Sequence, residues 1–124
     1  MKRFLLYTVV TLALSSFTFI SFTEVINAIK SGNATEVAKY FDNTVEITLP
    51  QKSNSYSKRQ ALLVLQDFFN ENQVKNFQVI HRSEKEGSEY CIGTLTTVNG
   101  LFRTTIYMKQ SGAGLLIQEL RFEK

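Results

Sequence analysis

"NAIKSGNATEVAKYFDNTVEITLP", residues 27–50, holds two helical stretches separated at a glycine, then a turn, an alternating strand and the chain's single proline. Just upstream and within it, Val25, Ile26 and Ile29 recur at helical spacing after Thr23 and Glu24, so a helix leads into the segment. Gly32 stands where a helix C-terminus favours a residue that tolerates left-handed backbone, and the first helix ends there. Asn33 is an N-cap for a second helix, Glu36 takes the capping-box position, and Val37, Tyr40 and Phe41 form its apolar face. Past Asp42-Asn43, Val45, Ile47 and Leu49 alternate with Thr44, Glu46 and Thr48, the pattern of a strand with one buried face.

Downstream, Ser57-Lys58-Arg59-Gln60 is a second capping box, opening a helix with Ala61, Leu62, Val64, Leu65, Phe68 and Phe69 on one face. The remainder predicts strands at 74–83, 89–98, 101–110 and 115–123, separated by EKEG, NG and SGAG. The order is helix, helix, strand, helix, then a four-stranded antiparallel meander, an α+β domain. Asn99-Gly100 predicts a two-residue type I′ loop that places Val98 opposite Leu101. On that register Cys91, Gly93 and Leu95 share the core face with Met108, Ile106 and Thr104. The opposite face pairs Thr96 with Arg103, Thr94 with Thr105, Ile92 with Tyr107 and Tyr90 with Lys109. Tyr90, Ile92, Arg103 and Tyr107 are the expected contact face of a homodimer, because aromatic and arginine side chains anchor such surfaces.

At 124 residues the chain is the size of one domain. One cysteine and one histidine exclude an internal disulfide and a structural four-ligand zinc site, and no metal or cofactor is expected. MKR followed by FLLYTVVTLAL reads as a signal peptide, 1–21, with cleavage expected between Ser15 and Phe22 and a single mature domain at 22–124. The protein is then periplasmic or secreted. The alternative is an uncleaved anchor, since apolar character runs on through Phe17, Phe19, Ile20 and Phe22. In that case the segment is the only membrane contact. Loss of Lys2 and Arg3 takes the 14 basic residues to 12, against 11 acidic ones, a formal charge of +1. The remaining cations form no run or aromatic-interleaved stripe, so a nucleic-acid partner is not expected.

Strand alternation carries the functional reading. Phe77 and Val79 point inward and take His81 with them, and Leu116, Leu120 and Phe122 do the same for Gln118. The open end of a sheet wrapped on helices would then gather Tyr40, Tyr56, Phe69, His81 and Gln118 around a ligand pocket. His81 is the one candidate for catalysis, as a general base with Tyr56 or Gln118. A His81–Cys91 nucleophile pair is the weaker alternative, because Cys91 between Tyr90 and Ile92 reads as a small buried hydrophobe. Asp42 in a turn and Asp67 on the long helix leave the strands without a pocket aspartate.

The segments IKSGNA, YFDNTVEITLP, YSK, DFF, YCIGTL, FRTTI and QELRFEK resemble a family of short exported bacterial proteins, domain of unknown function 4783. The likeness covers residues 22–124. It extends to the nuclear transport factor 2-like superfamily, which implies a cone built from helices on a curved antiparallel sheet, a pocket and frequent dimerisation through the outer sheet face. The family implies no activity, and the superfamily hosts isomerases, dehydratases and binding proteins alike. The expectation is a protein that binds a small ligand or peptide without catalysis. A lyase or isomerase using His81, and a structural homodimer with a filled core, are the alternatives.

Overall fold

The structure, a computed structural model, describes residues 21–112 and 114–124, so all of the expected signal segment except Ser21 lies outside the described residues. Helix α1 (Phe22–Ser31) buries Val25, Ala28 and Ile29 and stops at Gly32, whose φ of 67° is left-handed. A Cβ there would also come 2.9 Å from Val74 Cβ, so backbone and packing both demand glycine. In α2 (Ala34–Ala38) the Asn33 Oδ1 accepts the Thr35 and Glu36 amides at 3.0 and 3.2 Å, the expected cap. Helix α3 (Lys58–Glu71) begins with Ser57 Oγ accepting the Gln60 amide at 3.2 Å and buries Ala61, Leu65, Phe68 and Phe69.

Six strands form one sheet: β1 (Phe41–Leu49), β2 (Lys52–Ser57), β3 (Val74–Lys85), β4 (Ser88–Thr97), β5 (Gly100–Ser111) and β6 (Gly114–Glu123), in the order β2-β1-β6-β5-β4-β3. The α+β class holds, with one refinement: β1 lies parallel to β6 while every other neighbour is antiparallel, so the sheet is mixed. The chain leaves β1 through a hairpin and α3, and the meander then returns its last strand to the first. Strand β2 escaped sequence reading because KSNSYS has no apolar alternation; five of its six residues are exposed along the sheet edge.

The β4–β5 hairpin differs in register from expectation. Thr97 faces Gly100 and Leu95 faces Phe102, one residue along each strand from the predicted pairing. A type I′ loop requires positive φ at both Asn99 and Gly100, and only Gly100 has it, at 108°. Thr97 Oγ1 closes the turn instead, accepting the Asn99 amide at 3.1 Å and donating to the Gly100 carbonyl at 2.9 Å. The shift preserves which residues face inward, so Cys91, Gly93 and Leu95 stay on the core side.

Inside the sheet four phenylalanine rings pack on one another. Phe122 stacks on Phe68 with ring centroids 4.4 Å apart, and Phe102 meets Phe68 edge-on at 5.1 Å. Phe69 completes the cluster, 6.0 Å from Phe68 and 6.3 Å from Phe122. These rings occupy the interior around Phe68, and Phe68 and Phe102 also line an open groove of about 470 Å³ with Leu49, Asn72 and Lys124.

Candidate functional site

Two β-bulges decide where the expected pocket residues go. Val79 pairs with Gly93 but His81 pairs with Ile92, so Ile80 is an extra residue in β3. Beyond it the alternation inverts. His81 is carried onto the outer face beside Ile92 and Tyr90, is exposed, and shares a shallow groove with Ser83, Tyr90 and Tyr107. The inward placement of His81 is thereby corrected, and with it the proximity to Cys91 on which the nucleophile pair depended. Burial also pushes the Cys91 thiol up to about 11, Arg82 opposing and Glu89 adding to the rise, so it stays protonated at neutral pH.

The second bulge lies in β6, where Tyr107 faces Glu119 but Met108 faces Ile117. Gln118 is the inserted residue. It does not share an inward face with Leu120 and Phe122; its amide donates to Asp42 Oδ2 at 2.9 Å, and Asp42 Oδ1 accepts the Asn43 amide at 2.7 Å. Those two bonds hold the Asp42 carboxyl below its ordinary value. Ile117 and Leu115, rather than Leu116, point into the core. Tyr40 lines a separate groove with Glu24, Asn27 and Glu36, Tyr56 sits on edge strand β2 opposite Val45, and Phe69 belongs to the packed rings. The structure does not bring Tyr40, Tyr56, Phe69, His81 and Gln118 together as one pocket.

What the Ile80 bulge does bring inward is Arg82. It faces Cys91, and the next inward pair is Glu84 with Glu89. Glu89 is 3% exposed and its Oε1 accepts from Arg82 Nη2 at 3.0 Å. Its other oxygen, Oε2, is buried with no hydrogen-bond partner among the described residues. The Arg82 guanidinium lies 3.8 Å from the centroid of the Phe22 ring at the start of α1 and 3.8 Å from a Glu84 carboxylate oxygen. Burial raises the Glu89 carboxyl above its ordinary value, Glu84 adds to the rise, and Arg82 opposes it.

These residues belong to an open groove of about 620 Å³ at the β3–β4 turn, closed on its other sides by Ser21, Thr23, Gln110 and Leu115. Glu89 is the functional candidate that sequence reading missed. The signal was present, since Glu89 stands two residues before Cys91 and four before Gly93, on the same alternating face.

The expected dimer face is assembled more closely than the pocket. Tyr90 faces Tyr107 directly, Ile92 faces Thr105 and Thr94 faces Arg103, all on the outer side. Glu119 lies there as well, its carboxyl raised by burial and by the neighbouring Glu46.

Comparison with known proteins places the architecture. The model of the family described as Domain of unknown function (DUF4783) matches residues 22–123. A DUF4783 family protein from Bacteroides ovatus is 34% identical with a TM-score of 0.79, the match covering 85% of this chain and 94% of that one. One from Bacteroides uniformis is 31% identical with a TM-score of 0.80, over 85% and 97% of the two chains. An NTF2-like protein of unknown function from Cytophaga hutchinsonii, 13% identical with a TM-score of 0.61 over 85% and 90%, shares the fold alone. No curated protein matches the chain. With its helices set on a six-stranded mixed sheet and the family pattern running through the whole described domain, the chain belongs to the DUF4783 family and has the NTF2-like fold.

Proposed function

We propose that this is an exported binding protein which holds a small molecule or the end of a peptide over Glu89, at the mouth of the sheet rather than inside it, without chemical turnover. One observation carries the reading: a carboxylate oxygen of Glu89, which lines an open groove, is buried without a hydrogen-bond partner among the described residues. An unpaired buried polar atom costs about 1–3 kcal/mol, and a bound ligand that donates to it removes that cost. The protonated thiol of Cys91 and the outward turn of His81 support binding over catalysis. Export rests on the signal-like start, MKRFLLYTVVTLAL.

Glu89→Gln tests the reading in two ways. A glutamine can accept from Arg82 through its oxygen and donate to Glu84 through its amide, so the free variant should be more stable than wild type at pH 7, by about 1 kcal/mol. The sign of the pH dependence follows from the raised carboxyl. Folded Glu89 holds its proton more tightly than the unfolded chain does, so wild type loses stability, relative to the variant, as pH climbs from 4.5 through the raised value. Thermal melts across pH 4–8 measure the difference, and a thermal-shift ligand screen of both proteins completes the test. Ligands that stabilise wild type should stabilise Glu89→Gln clearly less at the same concentration. Equal ligand responses in the two proteins would remove Glu89 from the site.

A second reading, self-association through the outer sheet face, is favoured by the directly opposed Tyr90 and Tyr107 with exposed Leu101 on the same side. That face carries Arg103 and Arg121 as well as Glu46 and Glu119, so a two-fold related copy can meet each charge with its opposite. Tyr107→Glu puts a new charge at the centre of the face and leaves Leu95, Ile106 and Met108 untouched. A folded monomer in light scattering is the expected result, and an unchanged dimer would move the interface elsewhere.

A further inference from the structure

The groove over Glu89 is richer in acid than in base. Glu84, Glu86 and Glu89 line it against Arg82 and Lys85, three carboxylates to two cations. Its strongest donor is already committed, for the Arg82 guanidinium bonds Glu89 Oε1 at 3.0 Å and lies on the Phe22 ring. The spare capacity is acceptor capacity: Glu89 Oε2 has no donor among the described residues, and the Glu84 side chain is 70% exposed. Apolar surface adjoins these oxygens at Phe22 and Leu115.

Building on the binding reading above, we propose that the mouth recognises the ammonium group of a small primary amine, which donates to Glu89 Oε2 and to Glu84 while its carbon stem lies on Phe22 and Leu115. An ammonium group carries three donors and no acceptor, which matches a site short of donors. Its positive charge offsets the excess of carboxylate, and charge-assisted bonds of this kind are the strong ones. An anion would meet three carboxylates and an arginine already neutralised. A hard divalent cation needs six or more oxygens, whereas the groove offers few that are free, and no cluster of three or more metal-binding side chains occurs among the described residues. Since Oε2 is covered, the ligand enters as the Arg82 side chain, itself 47% exposed, moves off, and the two cations then share one carboxylate.

An NMR titration of the full-length protein at pH 7 tests this with three four-carbon probes: n-butylammonium, 1-butanol and butyrate. Butylammonium is expected to shift the amides of Phe22, Glu84, Ser88 and Glu89 in a saturable way, and the other two are not. Affinity should fall about tenfold in Glu89→Gln, one charge-assisted bond being lost. It should fall about threefold in Glu84→Gln, which alters an exposed group and leaves the fold alone. If butanol or butyrate saturates the same amides equally well, the amine specificity is wrong and the mouth still stands as a binding site. If none of the three shifts these amides in the folded protein, the amine and the mouth fail together. A butylammonium response that survives both substitutions overturns the assignment to these carboxylates.

Discussion

Phe122→Ala should lower the stability of the protein by about 4 kcal/mol, the range observed for deleting a buried ring from a core that relaxes only in part. Phe122 is fully buried, stacks on Phe68 at 4.4 Å and meets Phe69 edge-on at 6.3 Å, so both ring contacts are lost with it. Urea denaturation at constant m value measures the loss. The variant also creates the cavity that the natural chain fills. Benzene should therefore stabilise Phe122→Ala and leave wild type unaffected, as expected for a dry apolar hole bordered by Phe68 and Phe69. A wild-type protein that responds equally to benzene would show that the interior is open after all, and would return the ligand site to the cone.

Gly93→Ala follows with an expected cost of about 3 kcal/mol, at the upper end for overpacking. A Cβ at Gly93 would lie 2.5 Å from Phe77 Cζ and 2.6 Å from the Gln78 carbonyl oxygen. The ring could in principle rotate, but the carbonyl is backbone in the neighbouring strand and cannot yield without disturbing the β3–β4 ladder. The position is also adjacent to the bulge at Ile80, since Val79 pairs with Gly93 and His81 with Ile92. Displacing β3 there should move Arg82, so loss of the Arg82–Glu89 bond is expected along with loss of stability. A shift in the denaturation midpoint together with changed Arg82 side-chain resonances checks both effects. A variant with wild-type stability would mean that β3 does not pack on Gly93 as described.

Taken together, these features separate two parts of the molecule. The interior is stabilising material, four phenylalanine rings from α3, β5 and β6. The groove at the β3–β4 turn holds the costly group, a buried carboxylate incompletely paired. A shared NTF2-like fold says nothing about which of these does the work, because that fold hosts unrelated activities. Glu89→Gln separates them, since a purely structural carboxylate would not produce a variant that gains stability and binds a ligand less tightly.

Much of the scaffold was legible along the chain. Gly32, Asn33 and Ser57 mark helix boundaries through backbone conformations and hydrogen bonds that span at most four residues, so each could be read where it stood. Alternation in β4 correctly separated Cys91, Gly93 and Leu95 from Tyr90, Ile92 and Thr94, and it also contained Glu89 for a reader who extended it by two residues. The hairpin at Asn99-Gly100 was recognisable as a turn, but the choice between two turn types rested on the Thr97 hydroxyl and shifted the pairing.

Tertiary structure alone decided the site. Neither Ile80 nor Gln118 has the glycine or proline that would announce a bulge, yet each inserts one residue and reverses the facing of those beyond it. The reversal takes His81 out, brings Arg82 in, and gives Gln118 to Asp42, 76 positions away in the chain. The parallel pairing of β1 with β6 is similarly non-local, joining Phe41 to Ile117. Caps and alternation are settled by neighbours a few bonds apart and so are written in the sequence itself. Strand phase and pairing are settled by which distant residues pack best, and only the folded chain brings those competitors together.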